Sequence, residues 1–224
     1  MNQKLKVIIT GSTGMVGEGV LNECLLSDNV EKIVVINRKS CGVYHPKLIE
    51  IIHSDFFDLH ALENKLVDFD ACYFCLGISS VGVKKLEYYK LTYDLTLLFA
   101  NFLYQTNPNL TFCYVSGAGT DSSEKGWSHW ARVKGKTEND LQKLSFKQIF
   151  CFRPAFIKPT AGLKFSNPLY KYINWIFPIA RVIYPGGFCT LKEVGLAMLY
   201  VTRKGFNKNI VDGKDIIKLA SLEI

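Results

Sequence analysis

An apolar run, Val7-Ile8-Ile9-Thr10, leads straight into Gly11-Ser12-Thr13-Gly14-Met15-Val16-Gly17, with glycines spaced G-x-x-G-x-x-G ahead of a helical pattern. Such a strand, turn and helix can cradle a pyrophosphate. Gly11 permits the tight turn, Gly14 lets backbone amides approach the anion, and Gly17 lets the helix pack closely on the sheet. The helix N-terminus adds free N–H groups and the positive end of its dipole. A glycine-rich turn with no ligand is the plain alternative. The G-x-x-x-x-G-K-[ST] spacing of a nucleoside triphosphate loop is absent.

About twenty residues on, the second apolar run ends in Asn37-Arg38-Lys39, where a binder of NAD normally carries an acid for the ribose hydroxyls. No acid stands there. Two cations suit a 2′-phosphate, with Arg38 able to make a bidentate contact and to stack on adenine, so NADP is expected over NAD. The alternative is that Arg38 and Lys39 are solvated turn residues. Asp55 is placed to accept from the adenine amino group, Phe56 to lie beside the ring, and Leu76-Gly77 to lie under the adenosine and ribose. Each follows a strand's carboxyl end, where open α/β sheets bind ligands.

The elements that position these residues alternate. Strands are predicted at Lys6–Thr10, Lys32–Asn37, Leu48–Ile52, Ala71–Leu76, Thr111–Ser116 and Gln148–Arg153, most of them continuous apolar runs suited to burial on both faces. Helices are predicted at Met15–Leu26, Asp58–Leu66, Leu86–Gln105 and Trp127–Leu144 from their length and periodicity. This is the pattern of an α/β, doubly wound parallel sheet, a Rossmann fold. The alternation stops after Arg153-Pro154. An aromatic-rich stretch (Phe165, Tyr170, Tyr172, Trp175, Phe177, Tyr184, Phe188) then leads to a further predicted helix, Leu191–Val201. With no linker or repeat in view, residues 1–224 read as one domain, and 155–224 as its small substrate-side cap.

These residues resemble the short-chain dehydrogenase/reductase superfamily, in its atypical branch of compact NAD(P)-binding proteins that includes the Tat-interacting-protein-like, NmrA-like and epimerase/dehydratase-like groups. The likeness covers residues 4–155. It rests on Gly11 to Gly17, Asn37-Arg38, Asp55, Tyr114-Val115-Ser116-Gly117-Ala118, Val133-Lys134-Gly135 and Phe152-Arg153-Pro154. The resemblance implies a Ser and a Tyr-x-x-x-Lys pair as the active site. In that chemistry Tyr handles the substrate proton, Lys lowers the phenol pKa and holds the nicotinamide ribose, and Ser bonds the substrate oxygen.

Carried over by position, Ser116 matches the Ser and Lys134 the Lys, and Pro154 joins the cofactor residues, but Trp130 stands where the Tyr belongs. Indole N–H donates without titrating in the useful range. His129 has a suitable pKa but sits about 100° around the helix from Trp130 and is expected to point away. Tyr184 lies in the irregular tail, where a loop has room to return. Trp127, Trp130 and Lys134 also fit a packing stripe at i, i+3 and i+7, the reading preferred for Trp127.

Two functions are consistent with these residues. One is an NADP(H)-dependent oxidoreductase acting on a small carbonyl or hydroxyl substrate through Ser116 and Lys134. The other is a binding protein that has lost hydride chemistry and serves as a sensor or protein-interaction module.

Composition bounds both. The chain has 224 residues, 48% hydrophobic and 21% charged, which suits a globular fold with one core. The net charge of +7 comes from a basic excess in residues 113–224. Its cations are mostly spaced singly and no recognition motif accompanies them, which disfavours nucleic acid. Lys158, Lys164, Lys171 and Arg181 among the tail aromatics suggest an apolar or anionic partner, and aromatics at that density also suit a subunit interface. Seven cysteines in mostly apolar surroundings point to a reducing setting. Cys72 and Cys75 form a CxxC on a strand, which directs them to opposite faces and argues against a metal site. With the first apolar run too short for a signal peptide and no span of membrane length, a cytoplasmic protein is expected.

Overall fold

The computed structural model describes residues 3–164, 177, 181–182 and 184–223. Phe165, Tyr170, Lys171, Tyr172 and Trp175 of the aromatic tail lie outside the described residues.

Nine strands are described: β1 (Leu5–Thr10), β2 (Val30–Asn37), β3 (Leu48–Ile52), β4 (Ala71–Phe74), β5 (Thr111–Val115), β6 (Gln148–Arg153), β7 (Phe156–Lys158), β8 (Phe188–Thr190) and β9 (Ile210–Asp212). Seven form one sheet in the order β3-β2-β1-β4-β5-β6-β9, parallel at every pairing. β7 and β8 pair separately in a two-stranded parallel sheet. Order reverses between β1 and β4, opening the crevice in which doubly wound folds hold their ligands.

Strand alternation explains why these runs are apolar throughout. Val7, Ile9, Val35, Tyr73, Cys113, Phe150 and Phe152 face one core with Val20 and Leu21. Ile8, Val34, Ile36, Cys72, Phe74, Phe112 and Tyr114 face the other with Phe99 and Leu103. In the central strands most residues bury on one side or the other because successive side chains point oppositely and helices cover both faces, while the edge strand β3 leaves Ile49 and Ile52 exposed. The same alternation sends Cys72 into the second core and Cys75 against the first.

The helices are α1 (Met15–Leu26), α2 (Lys85–Tyr89), α3 (Leu95–Thr106), α4 (His129–Leu141), α5 (Leu191–Lys204) and α6 (Gly213–Ser221). A π-helical turn at Lys90–Asp94 joins α2 to α3, so the predicted helix over Leu86–Gln105 is one rod with a wide turn inside it. α5 starts on a capping box: the Thr190 hydroxyl accepts from Glu193 N at 3.1 Å and the Glu193 carboxylate accepts from Thr190 N at 2.7 Å.

Three expectations are corrected. Asp58–Leu66 forms only a 3-10 turn at His60–Leu62. Leu59, Leu62 and Leu66 are buried as a helix would bury them, but the backbone closes i to i+3 bonds and the Asp58 carboxylate takes the His60 amide at 3.2 Å, diverting it from a helical ladder. The Trp127–Leu144 segment is helical only over His129–Leu141. Trp127 thus precedes the helix and is 95% exposed instead of packing in a stripe. Strand β9 and helix α6 add to the predicted elements; at three and nine residues they are too short to give a clear pattern.

Candidate dinucleotide cleft

The Gly11 to Gly17 segment leaves β1 with Gly11 at φ +73°, a left-handed conformation that L side chains rarely adopt. The tightness of the loop shows at Gly17, where a Cβ would lie 2.1 Å from the Gly11 carbonyl oxygen. Gly14 is the N-cap of α1, and among the described residues no side chain caps the helix, which leaves first-turn amides for an anion. Met15 and Val16 carry those amides and pack their side chains on the first core.

Gly11, Thr13 and Gly14 form one wall of a cleft of about 200 Å³; Ile36, Asn37, Arg38, Phe56, Cys75, Leu76, Gly77 and Ile78 line the rest. A neighbouring cleft of about 490 Å³ is lined by Thr13, Arg38, Lys39 and Ser40. Cofactor positions read from β1, β2, β4 and Phe56 therefore converge on one place. Arg38 and Lys39 are exposed there, and among the described residues no hydrogen bond or ion pair engages either. Asp55 sits on the turn after β3, where its carboxylate accepts from the Phe57 amide at 2.9 Å.

Inside the cleft wall the polar groups are committed to one another. The buried Ser12 hydroxyl donates to Asn37 Oδ1 at 2.9 Å, and Asn37 Nδ2 donates to Glu50 Oε1 at 2.8 Å. The side chains of Ser12 and Asn37 thus build the wall of the cleft. Glu50, on β3, is missed by the sequence reading; the signal for it is a lone acid inside Leu48-Ile49-Glu50-Ile51-Ile52.

Ser116, Trp130 and Lys134 lie beyond β5 and along α4. Lys134 Nζ donates to the Ser116 carbonyl, and Trp130 packs over the loop after β5, where a Cβ on Gly119 would meet its ring at 3.3 Å. That loop is tied to the next strand by Ala118 N donating to the Pro154 carbonyl at 2.8 Å. Burial holds the Lys134 ammonium below its ordinary pKa, against the opposing charge of Glu138 one turn away.

The Ser116 hydroxyl does not face an open cleft. It is buried and donates to Glu138 Oε1 at 2.5 Å, with the Phe152 carbonyl a competing acceptor at 3.1 Å. Arg153 closes the cluster: its Nε donates to Glu138 Oε1 at 3.0 Å, and a second guanidinium nitrogen also bonds that carboxylate. Neither Glu138 nor Arg153 stands out in the sequence as a polar partner of Ser116.

The two candidate proton donors stand apart from this cluster. His129 meets Tyr88 edge-on, ring centroids 6.1 Å apart, and burial with the nearby Arg132 and Lys85 charges pushes its pKa down. Tyr184 is 61% exposed and lies over Gly187 beside the start of α6.

Solved structures with this topology include a short-chain dehydrogenase family protein from Francisella tularensis, at TM-score 0.65 and 15% identity, covering 95% of this chain and 98% of that one. Another is the Bordetella bronchiseptica enzyme WbmF in complex with NAD+, at TM-score 0.67 and 16% identity, covering 99% of this chain and 78% of that one. The chain shares the parallel α/β fold of these proteins. Among curated proteins the chain is similar to the mitochondrial protein FMP52 of Candida glabrata, 26% identical over 211 residues, which are 92% of this chain and 88% of that protein. No family model matches.

The relatives correct one expectation. This FMP52 and others matched are named as mitochondrial proteins, so the cytoplasmic assignment does not stand. Its supports, cysteines in apolar surroundings, a short first apolar run and no span of membrane length, do not name a compartment. Among the described residues no helix is long and apolar enough to cross a membrane.

Proposed function

We propose that the protein binds NADP(H) in the crevice between β1 and β4. The observation that carries this reading is the pair of adjoining clefts that share Thr13 and Arg38. The first offers glycine backbone and uncapped helix amides, suited to a pyrophosphate. The second offers Arg38, Lys39 and the hydroxyl of Thr13, suited to a 2′-phosphate. Solved structures of this fold such as WbmF hold NAD+, which supports a nicotinamide dinucleotide here. Arg38, without a hydrogen bond or ion pair among the described residues, and the absence of an acid at the end of β2 support the 2′-phosphorylated form.

When bound, such a dinucleotide supplies or accepts a hydride. Gly11 to Gly17 would hold its pyrophosphate, Phe56, Leu76 and Gly77 its adenosine, and Lys134 with Pro154 its nicotinamide end. We read the protein as a dinucleotide-responsive binding module, because the proton relay of the superfamily is missing two members. Trp130 cannot titrate, and Ser116 spends its only hydroxyl proton on Glu138. A second reading, oxidoreductase activity on a small carbonyl or hydroxyl compound, is favoured by Lys134, which keeps its place and a lowered pKa.

Titrating the purified protein with NADPH and with NADH while following tryptophan fluorescence tests the cofactor, and equal affinities would reject the 2′-phosphate assignment. A panel of aldehydes, ketones and quinones with NADPH separates the two readings. Appreciable turnover by the wild-type protein would end the binding-module reading.

A further inference from the structure

Two exposed cations, Arg38 and Lys39, form the outer wall of the second cleft, and among the described residues no hydrogen bond or ion pair holds either. What holds their backbone lies beneath. The Glu50 carboxylate accepts from Asn37 Nδ2 at 2.8 Å, from Cys41 N at 2.8 Å and from the Ser40 hydroxyl at 2.5 Å. These donors flank Arg38-Lys39 on both sides. Asn37 and Cys41 are buried, so the turn is anchored at both ends with one carboxylate as the common acceptor. Parallel pairing of β2 and β3 places Glu50 there by setting it opposite Val35, two residues before Asn37.

Asn37 carries the network further, since its Oδ1 accepts from Ser12 in the pyrophosphate loop. One chain of hydrogen bonds therefore runs from Ser12 through Asn37 and Glu50 to Ser40 and Cys41. It joins the wall of the cleft suited to a pyrophosphate to the wall suited to a 2′-phosphate. Glu50 itself bonds only to this turn among the described contacts.

We propose that Glu50 is a positioning residue for cofactor choice: by gathering Asn37, Ser40 and Cys41 it presents Arg38 to the 2′-phosphate, and so an acid favours the more anionic cofactor. The proposal rests on the NADP(H) reading above. It makes a prediction opposite in sign to simple electrostatics. Removing a negative charge near a phosphate site should tighten NADPH binding if charge alone matters. If Glu50 acts by positioning, removing it should weaken NADPH binding. Glutamine is a stringent replacement, because it keeps the length but offers one acceptor oxygen and turns an N–H toward the remaining donors.

The experiment is a titration of wild type, Glu50→Gln, Arg38→Ala and the double variant with NADPH and NADH. Expected is a loss of about tenfold or more in NADPH affinity for Glu50→Gln, the loss typical of a few disrupted charged hydrogen bonds, with NADH affinity within about twofold. In the Arg38→Ala background the Glu50→Gln change should have no further effect on NADPH, because its action runs through Arg38. Unchanged or tighter NADPH binding by Glu50→Gln, or equal weakening of both cofactors, overturns the role of Glu50 and leaves the NADP(H) reading in place. Equal NADPH and NADH affinities in the wild type overturn both. Should Glu50→Gln fail to fold, Ser40→Ala, which removes one exposed donor, decides by the same comparison of the two cofactors.

Discussion

The Ser116 hydroxyl donates to the Glu138 carboxylate at 2.5 Å, one helical turn past Lys134. The residue that matches the superfamily's substrate-binding serine is thus part of the interior, joining β5 to α4, while Arg153 ties the same carboxylate to β6. Ser116→Ala is expected to leave NADPH affinity within about twofold of wild type. Glu138→Ala is expected to cost about 3–5 kcal/mol, because it strands the Arg153 charge in a mostly buried position. Urea unfolding of the two variants, with NADPH titration of the first, checks both.

Arg38→Ala should weaken NADPH by roughly 10- to 100-fold, the worth of a charged, bidentate phosphate contact, and leave NADH nearly unchanged. The NADPH difference should shrink as salt is raised, since the side chain is exposed. Isothermal titration at two ionic strengths measures both effects.

Two alanine substitutions in the Gly11 to Gly17 loop should separate fold from ligand. At Gly17 a Cβ would collide with the Gly11 carbonyl at 2.1 Å, so Gly17→Ala should lower the melting temperature of the protein without cofactor. At Gly14 the nearest atom to a Cβ is 3.4 Å away, so Gly14→Ala should melt near wild type yet bind the dinucleotide more weakly. Thermal melts paired with NADPH titrations give the contrast.

Trp130→Tyr restores a titratable hydroxyl one turn from Lys134. General acid catalysis is commonly worth about 10²–10⁴ in rate. With Ser116 still bound to Glu138, a gain of roughly tenfold or more over wild type is expected on at least one carbonyl in a panel. No gain on any substrate would show that the missing phenol is not what limits this site.

Acid should remove the contribution of Glu50. Burial raises its pKa, but hydrogen bonds from Ser40, Cys41 and Asn37 outweigh that and hold the carboxyl below its ordinary value. A depressed carboxyl stabilises the fold above its unfolded pKa of about 4.3, and that stability is lost as pH falls through the folded value. The gap in melting temperature between wild type and Glu50→Gln should therefore be full at pH 7 and close as pH drops below about 4. Melts across that range track the closing gap.

The sheet and the Gly11 to Gly17 loop are legible in the sequence because their signals are local. Val7-Ile8-Ile9 is a doubly buried strand by composition, and Gly11, Gly14 and Gly17 are read within one turn of it. The Glu50 and Glu138 networks are not legible, because each joins separate elements. Asn37 meets Glu50 only through the β2–β3 register, and Ser116 meets Glu138 only once α4 has docked beside the ends of β5 and β6. Asp58–Leu66 misleads for another reason: Leu59, Leu62 and Leu66 have helical spacing, and a succession of tight turns buries the same three side chains.

The wide turn at Lys90–Asp94 acts as a phase shifter. A π turn holds an extra residue relative to an α turn, which rotates the helix before it by about 100° with respect to the helix after it. Upstream of the turn Tyr88 lies edge-on to His129 of α4, and within it Tyr93 donates to Asp140 at 2.6 Å; downstream Phe99 and Leu103 pack under the sheet. Removing one residue from this turn would yield a more regular rod, yet Tyr88 and Phe99 could no longer reach their present neighbours together. The irregularity lets a single helix keep two unrelated sets of contacts in step.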